Sequence, residues 1–241
     1  MGTKPSDFDI FESYIEPMRR KLIACSLLTF GARQFKTATI IKRLDEIDNL
    51  YKNHDNNYVL NNFPNLFPDV LFENLLDTIR INICFENYFK AKLLFNGFAI
   101  HNINKDENKM LFQKQKKNPV EISELIPKKS PMFLPQLKKC LQESTINYST
   151  ILGCSAYHKY FNIQNDSLDF LIVLNKQRNR LHLHLGELTT LSRKIIGHYK
   201  MLRSIVDMDI AILQNTLLNE LDPQSKSKLP VRLFPDVEIP S

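Results

Sequence analysis

The chain has 241 residues, of which 43% are hydrophobic and 24% charged, the balance of an ordinary globular protein with enough apolar side chains for a sizeable core. Six glycines and no tryptophan argue against a glycine-rich phosphate loop and against an all-β chain built from tight turns. The net charge of +6 suits a polyanionic partner, nucleic acid or a membrane face, although such a surplus also serves solubility alone.

Ser6 is placed to cap a first helix with Asp7 and Asp9 in its first turn, and the apolar pattern runs on to Gly31. Pro17 should kink or split it. Thr37 or Thr39 can cap a second helix carrying Ile40, Ile41, Leu44, Ile47 and Leu50, which ends in the polar run Asn53 to Asn57. A long third helix is predicted from Pro68, with its apolar stripe running to Leu94 and its end near Gly97. Asn82, Glu86 and Lys90 lie on one line of it at i,i+4 spacing. A Glu four residues before a Lys is a favourable solvated pair, yet large apolar residues crowd both flanks of this line.

Residues 105–140 hold nine lysines against four carboxylates, with prolines at 119, 127, 131 and 135, and read as a basic, loop-rich insertion. Lys114, Lys116 and Lys117 form its densest cluster and are candidate RNA contacts, the alternative being a solvated connector. A fourth helical pattern spans 141–160, broken around Gly153. A fifth starts near Asn165 or Ser167, and Ser192 can cap a sixth, in which His198 sits as a core or boundary residue. From Asp222 onward, prolines at 223, 230, 235 and 240 predict a non-helical tail over 222–241. No signal peptide and no apolar run long enough to cross a bilayer is evident, so a cytoplasmic protein without a membrane partner is expected. The four cysteines lack zinc-site spacing, and Cys25 and Cys84 read as core thiols.

The fifth helix leads into Arg178-Asn179-Arg180-Leu181-His182-Leu183-His184, the densest concentration of phosphate-handling chemistry in the chain. Guanidinium offers a permanent planar charge that matches phosphate oxygens, and imidazole exchanges protons near neutral pH. A purely structural explanation stands beside this one, because cations favour the C-terminal end of a helix. In a continuous helix His182 shares a face with Arg178. The period-two alternation of Leu181, Leu183 and Leu185 fits an irregular exit that brings His184 back instead.

Two stretches together resemble the HEPN domains, the nucleotide-binding helical domains shared by higher eukaryotes and prokaryotes. Ile83 to His101 is similar to their acidic, lysine-bearing helix. Arg178, Asn179 and His184, with five residues between the arginine and the histidine, match their Arg-polar-His hallmark. The resemblance covers about 68–218 in the order of elements, and the doubled histidine and the long basic insertion depart from the pattern. It implies an all-α bundle, here with extra N-terminal helices in a single helical domain over 1–221. It also implies a homodimer that brings two Arg/His stretches into one cleft, and a metal-independent ribonuclease of the toxin or antiviral type, sometimes held by an antitoxin or other regulatory partner.

The residues carry the same chemistry without the family. RNA is cleaved without a metal when its own 2′-hydroxyl attacks the adjacent phosphate, given a proton-transfer group and a cation for the phosphorane. The expected catalytic set is Arg178, Asn179 and His184, with His182 in support and Glu86 holding Arg178 from a neighbouring helix. Lys90, Lys114, Lys116, Lys117 and Arg180 are the expected RNA contacts, and no cofactor or metal is expected. The rival expectation is a non-catalytic helical module that binds RNA or a protein.

Overall fold

The computed structural model describes residues 11–63, 66–126, 133–180 and 192–227. It is an all-α protein with one small β ribbon. In chain order the elements are α1 (Glu12–Ile15), α2 (Pro17–Thr37), α3 (Thr39–Lys42), α4 (Leu44–Asn53), α5 (Asn56–Asn62), α6 (Leu66–Phe95), β1 (His101–Ile103), α7 (Lys109–Gln115), α8 (Ile122–Leu125) and α9 (Phe133–Cys140). They continue with β2 (Leu141–Thr145), α10 (Tyr148–Gly153), α11 (Ser155–His158), α12 (Asn165–Arg180), α13 (Arg193–Ile205), a π-helical turn (Val206–Ile210), α14 (Ala211–Glu220) and α15 (Pro223–Ser227). Among the described residues no helix is long and apolar enough to cross a membrane. The chain divides into two compact units, one from Met1–Leu27, Phe89–Phe161 and Thr216–Ser241, the other from Leu28–Tyr88 and Asn162–Asn215.

Local signals place most helix ends. Pro17 splits the first helical pattern and becomes the first residue of α2, where its missing N–H costs nothing. Asp55, Asn108, Asn147 and Ser192 each cap the helix that follows with a side-chain oxygen. Gly97, at φ +82°, closes α6: its N–H bonds to Leu94 O at 3.1 Å and that of Phe98 to Leu93 O at 2.9 Å, the paired bonds of a Schellman ending.

Three expectations are corrected. Residues 141–145, expected to begin a helix, form β2, paired antiparallel with β1 in the register His101↔Thr145 and Ile103↔Leu141. A polar run of Gln142, Glu143 and Ser144 carries no strand signal, and its conformation comes from its partner. The segment after Asp222, expected to be non-helical, opens with the five residues of α15, because Asp222 accepts from Ser225 N at 2.8 Å and Pro223 fits a first helical position. The remainder of that tail lies outside the described residues. Neither Thr37 nor Thr39 caps the second helix, which breaks at Arg43 into α3 and α4. The cap of α3 comes from α6: the Asp77 carboxylate accepts from Thr39 N at 2.9 Å and Ile40 N at 2.7 Å.

In the first unit, Phe89 packs on Tyr148 and Phe161 with ring centroids 5.9 and 4.3 Å away. The free edge of β1 is satisfied by a side chain. The buried Gln115 accepts from Ile103 N at 2.9 Å and donates to His101 O at 2.8 Å. Beside it the Tyr14 hydroxyl accepts from the N–H groups of Ile100 and His101, which leaves its own proton for His101 Nδ1, 2.5 Å away. Burial, helped by the positive charge of Lys90, pushes the His101 imidazole down to about 4.

In the second unit, α2 and α6 approach closely at Gly31, where a Cβ would meet Cys84 O at 3.0 Å. Helices α4 and α13 are joined by an antiparallel series of polar contacts. Arg193 donates to the terminal carbonyls of α4 at Tyr51 and His54, Lys200 pairs with Asp48 at 2.8 Å, and Arg203 grips both oxygens of Asp45.

Two outcomes follow from these contacts. Asp77 is 1% exposed, and Asp77→Ala strands two amide donors at the start of α3, so a loss of about 2 kcal/mol is expected in denaturant unfolding. Asp77→Asn, which keeps one acceptor, should lose less. The second outcome concerns acid. An unfolded histidine titrates near 6.5, so between that pH and about 4 the unfolded chain binds one more proton than the folded one. The His101 contribution is therefore complete above the unfolded value and is lost as pH falls towards 4, by something on the order of 3 kcal/mol. Urea unfolding measured from pH 7 to pH 4 should show a flatter slope for His101→Gln than for the natural chain. Equal slopes would count against the assignment.

Candidate active site

Helix α12 buries Leu168, Leu171 and Leu174 along one stripe, and Asn175 and Arg178 continue that stripe towards its C-terminal end. The stripe explains why Arg178 turns inward. Its side chain is 26% exposed, and its Nη1 donates to Glu86 Oε2 of α6 at 3.0 Å, where the glutamate side chain is 22% exposed. The pairing expected between these residues is therefore present within the second unit. A guanidinium in the last described turn of α12 also lies where helix carbonyls favour a cation.

The other expected residues are distributed unevenly. Asn179 is exposed beside Arg178. Arg180 closes α12, and its side chain lies outside the described residues, as do His182 and His184. Lys90, in the first unit, is 7% exposed and donates to Thr145 Oγ1 at 2.8 Å. Lys114 is engaged with Glu124 at 2.5 Å, Lys116 sits over the Phe112 ring with its ammonium 4.5 Å from the centroid, and Lys117 is exposed. Among the described residues no group of three or more His, Cys, Asp or Glu side chains is arranged to hold a metal ion.

Sequence reasoning assigned no role to two buried amides near the ion pair. Asn82 is one turn before Glu86 and fully enclosed; its Nδ2 donates to Thr78 O at 2.7 Å and its Oδ1 has no hydrogen-bond partner among the described residues. Asn175, one turn before Arg178 and 5% exposed, likewise has an unpartnered Oδ1. The i,i+4 line on α6 pointed to Asn82, but the burial of Asn175 has no signal beyond its place on the apolar stripe. No protein-family model, no curated protein and no solved structure matches the chain.

Because both side chains of the pair are mostly withdrawn from solvent, a coupling above that of an ordinary surface ion pair is expected. A double-mutant cycle with Glu86→Gln and Arg178→Met, measured by urea unfolding, should return a coupling energy of about 1 kcal/mol or more. A value indistinguishable from zero would mean that Glu86 does not hold Arg178.

Proposed function

We propose that the chain is a metal-independent endoribonuclease of the HEPN type, acting as a homodimer in toxin or antiviral defence within the cytoplasm. The observation that carries this reading is the Arg178–Glu86 pair. The two stretches on which the resemblance rests are 92 residues apart at these positions and meet in the hydrogen bond from Arg178 to Glu86. An arginine oriented by a carboxylate from another helix, followed by an exposed amide, suits a group that must meet a phosphate in a fixed orientation.

In this reading the 2′-hydroxyl of RNA loses its proton to a base and its oxygen attacks the adjacent phosphorus. The bond from phosphorus to the 5′-oxygen breaks as that oxygen takes a proton from an acid. The products are a 2′,3′-cyclic phosphate and a 5′-hydroxyl. Arg178 stabilises the dianionic phosphorane, Asn179 orients the phosphate, His184 transfers protons and His182 supports it. A reaction that needs both an acid and a base is served by two copies of the stretch across a two-fold axis. Lys114, Lys116, Lys117 and Arg180 belong to the RNA-contacting set, whereas Lys90, expected there, is 7% exposed and bonded to Thr145 and does not present its ammonium to RNA; a regulatory or antitoxin protein would act by covering that set.

The test is cleavage of a mixed-sequence RNA by the purified chain in the presence of a chelator. Activity should persist, the fragments should end in 2′,3′-cyclic phosphate, and light scattering should show a dimer. Arg178→Ala and His184→Ala should lower the rate by about a hundredfold or more, and His182→Ala by much less. Loss of cleavage in chelator with recovery in magnesium would refute the mechanism. RNA binding without any cleavage would favour the non-catalytic helical module.

A further inference from the structure

The π-helical turn Val206–Ile210 carries a wider turn into the continuous run of α13 and α14, and beside it lies a groove of about 280 Å³. Val206 and Ile210 stay buried while Met208 and Asp209 turn to the groove, facing Gln164 and Ser167 at the start of α12. Met201, Ile205 and Met208 make one side of it apolar. Among the described lining residues Asp209 alone is charged.

A half-buried carboxylate beside an apolar wall is unfavourable unless a cation meets it. Lys200 and Arg203 of α13 are committed elsewhere, to Asp48 and Asp45. The Asp209 carboxylate makes no ion pair or hydrogen bond with a described residue. Burial first and the Asp209 charge second push the Tyr88 phenol upward, so the carboxylate acts on the interior of the unit as well as on the groove. A separate observation points the same way. Ser167 is 2% exposed and lines the groove, yet its hydroxyl forms no hydrogen bond with a described residue.

We propose that this groove binds a primary alkylammonium group, with the ammonium between Asp209, Ser167 and the Gln164 amide oxygen and its methylene stem along Met201, Ile205 and Met208. An ammonium carries three donors and no acceptor, and the groove offers it a carboxylate, a hydroxyl and an amide oxygen. The stem of such a group buries well on thioether and branched carbons while its head stays polar. The volume admits a chain of a few carbons and is smaller than most cavities for drug-sized ligands. The group arrives either on a free polyamine or on a lysine side chain of a partner protein. Ser167 lies eleven residues before Arg178, about 16 Å along α12, so the site stands independently of the RNA-cleaving reading.

Calorimetric titration of the full chain with spermidine and, separately, with Nα-acetyl-lysine methylamide tests this. At least one should bind saturably at one site per chain, and Asp209→Asn should weaken it about tenfold or more. Met208→Lys, at a position 59% exposed, places the chain's own ammonium at the groove and should block binding while the protein remains folded. Tighter binding of spermidine identifies a free polyamine, and comparable binding of the lysine amide identifies a partner's side chain. Absence of saturable binding by either probe overturns the proposal. So does binding by both variants as tight as by the natural chain, which would be surface charge association. If Asp209→Asn fails to fold, the Met208→Lys titration decides alone.

Discussion

A helix buried on nearly every side can keep a polar side chain only if another element supplies its partner. Helix α6, thirty residues long, is under this constraint from Asp77 to Leu94. Thr78, Asn82, Glu86 and Lys90 recur every fourth residue between Ile81, Cys84, Phe85, Tyr88 and Phe89, all of them enclosed. Each unmade hydrogen bond at such a position costs about 1–3 kcal/mol, comparable to a sizeable fraction of a domain's net stability. The surroundings are built accordingly: Asp77 takes the amides that open α3, Glu86 takes Arg178, and Lys90 takes Thr145. The same requirement that fixes the packing of α6 fixes the orientation of the arginine on which the functional proposal rests. The unpartnered Oδ1 of Asn82 is the exception on this line, and its desolvation opposes folding.

The basic surplus divides in a way that total charge conceals. Arg193, Lys200 and Arg203 belong to the antiparallel contact between α13 and α4, where they take carbonyls or carboxylates. The Arg203 guanidinium and the Lys200 ammonium hold the Asp45 and Asp48 carboxyls below the usual carboxylate range. These cations hold the bundle together and contribute little to a field that would draw in a polyanion. The lysines of α7 and the segment after it lie on exposed positions of the other unit, and one of them, Lys114, is already paired with Glu124. Each of these ion pairs removes one charge of either sign, so the net charge of +6 is unchanged and is carried by the cations outside them.

What was legible in the sequence follows the range of the interaction that decided it. Pro17, Gly97 and Ser192 act within a few residues, and the helix boundaries they imply are the observed ones. Cys25 and Cys84, on apolar helical stripes, are fully buried. The cap of α3 was illegible because its donors and acceptor are 37 and 38 residues apart, and an aspartate in a long helix looks like a solvated acid. β2 was missed for a related reason: nothing in Gln142, Glu143 and Ser144 prefers a strand until β1 is beside them. The candidate site falls between these cases. Periodicity placed Glu86 on a crowded face of α6, and chemistry suggested that it holds Arg178, but only the structure shows Arg178 on the inner stripe of α12 and brings the two within 3.0 Å.

The ion pair also bears on the electrostatics of the proposed reaction. Glu86 orients Arg178 but opposes its charge, and at about 4 Å with an effective dielectric near 20 two unit charges interact by roughly 4 kcal/mol. One arginine paired in this way offers a phosphorane less attraction than an arginine facing it alone. Orientation is useful only if that loss is offset, and a second arginine brought across a two-fold axis offsets it without any change of sequence. Lysine at 178 would not serve equally. A guanidinium is a planar fork with five donors, so it can bond a carboxylate on one side and a phosphate on another, whereas an ammonium is a point charge that must divide three donors between them. In the proposed reaction, the need for an arginine at this position and for a second copy of it would share one origin, a carboxylate that holds the side chain still.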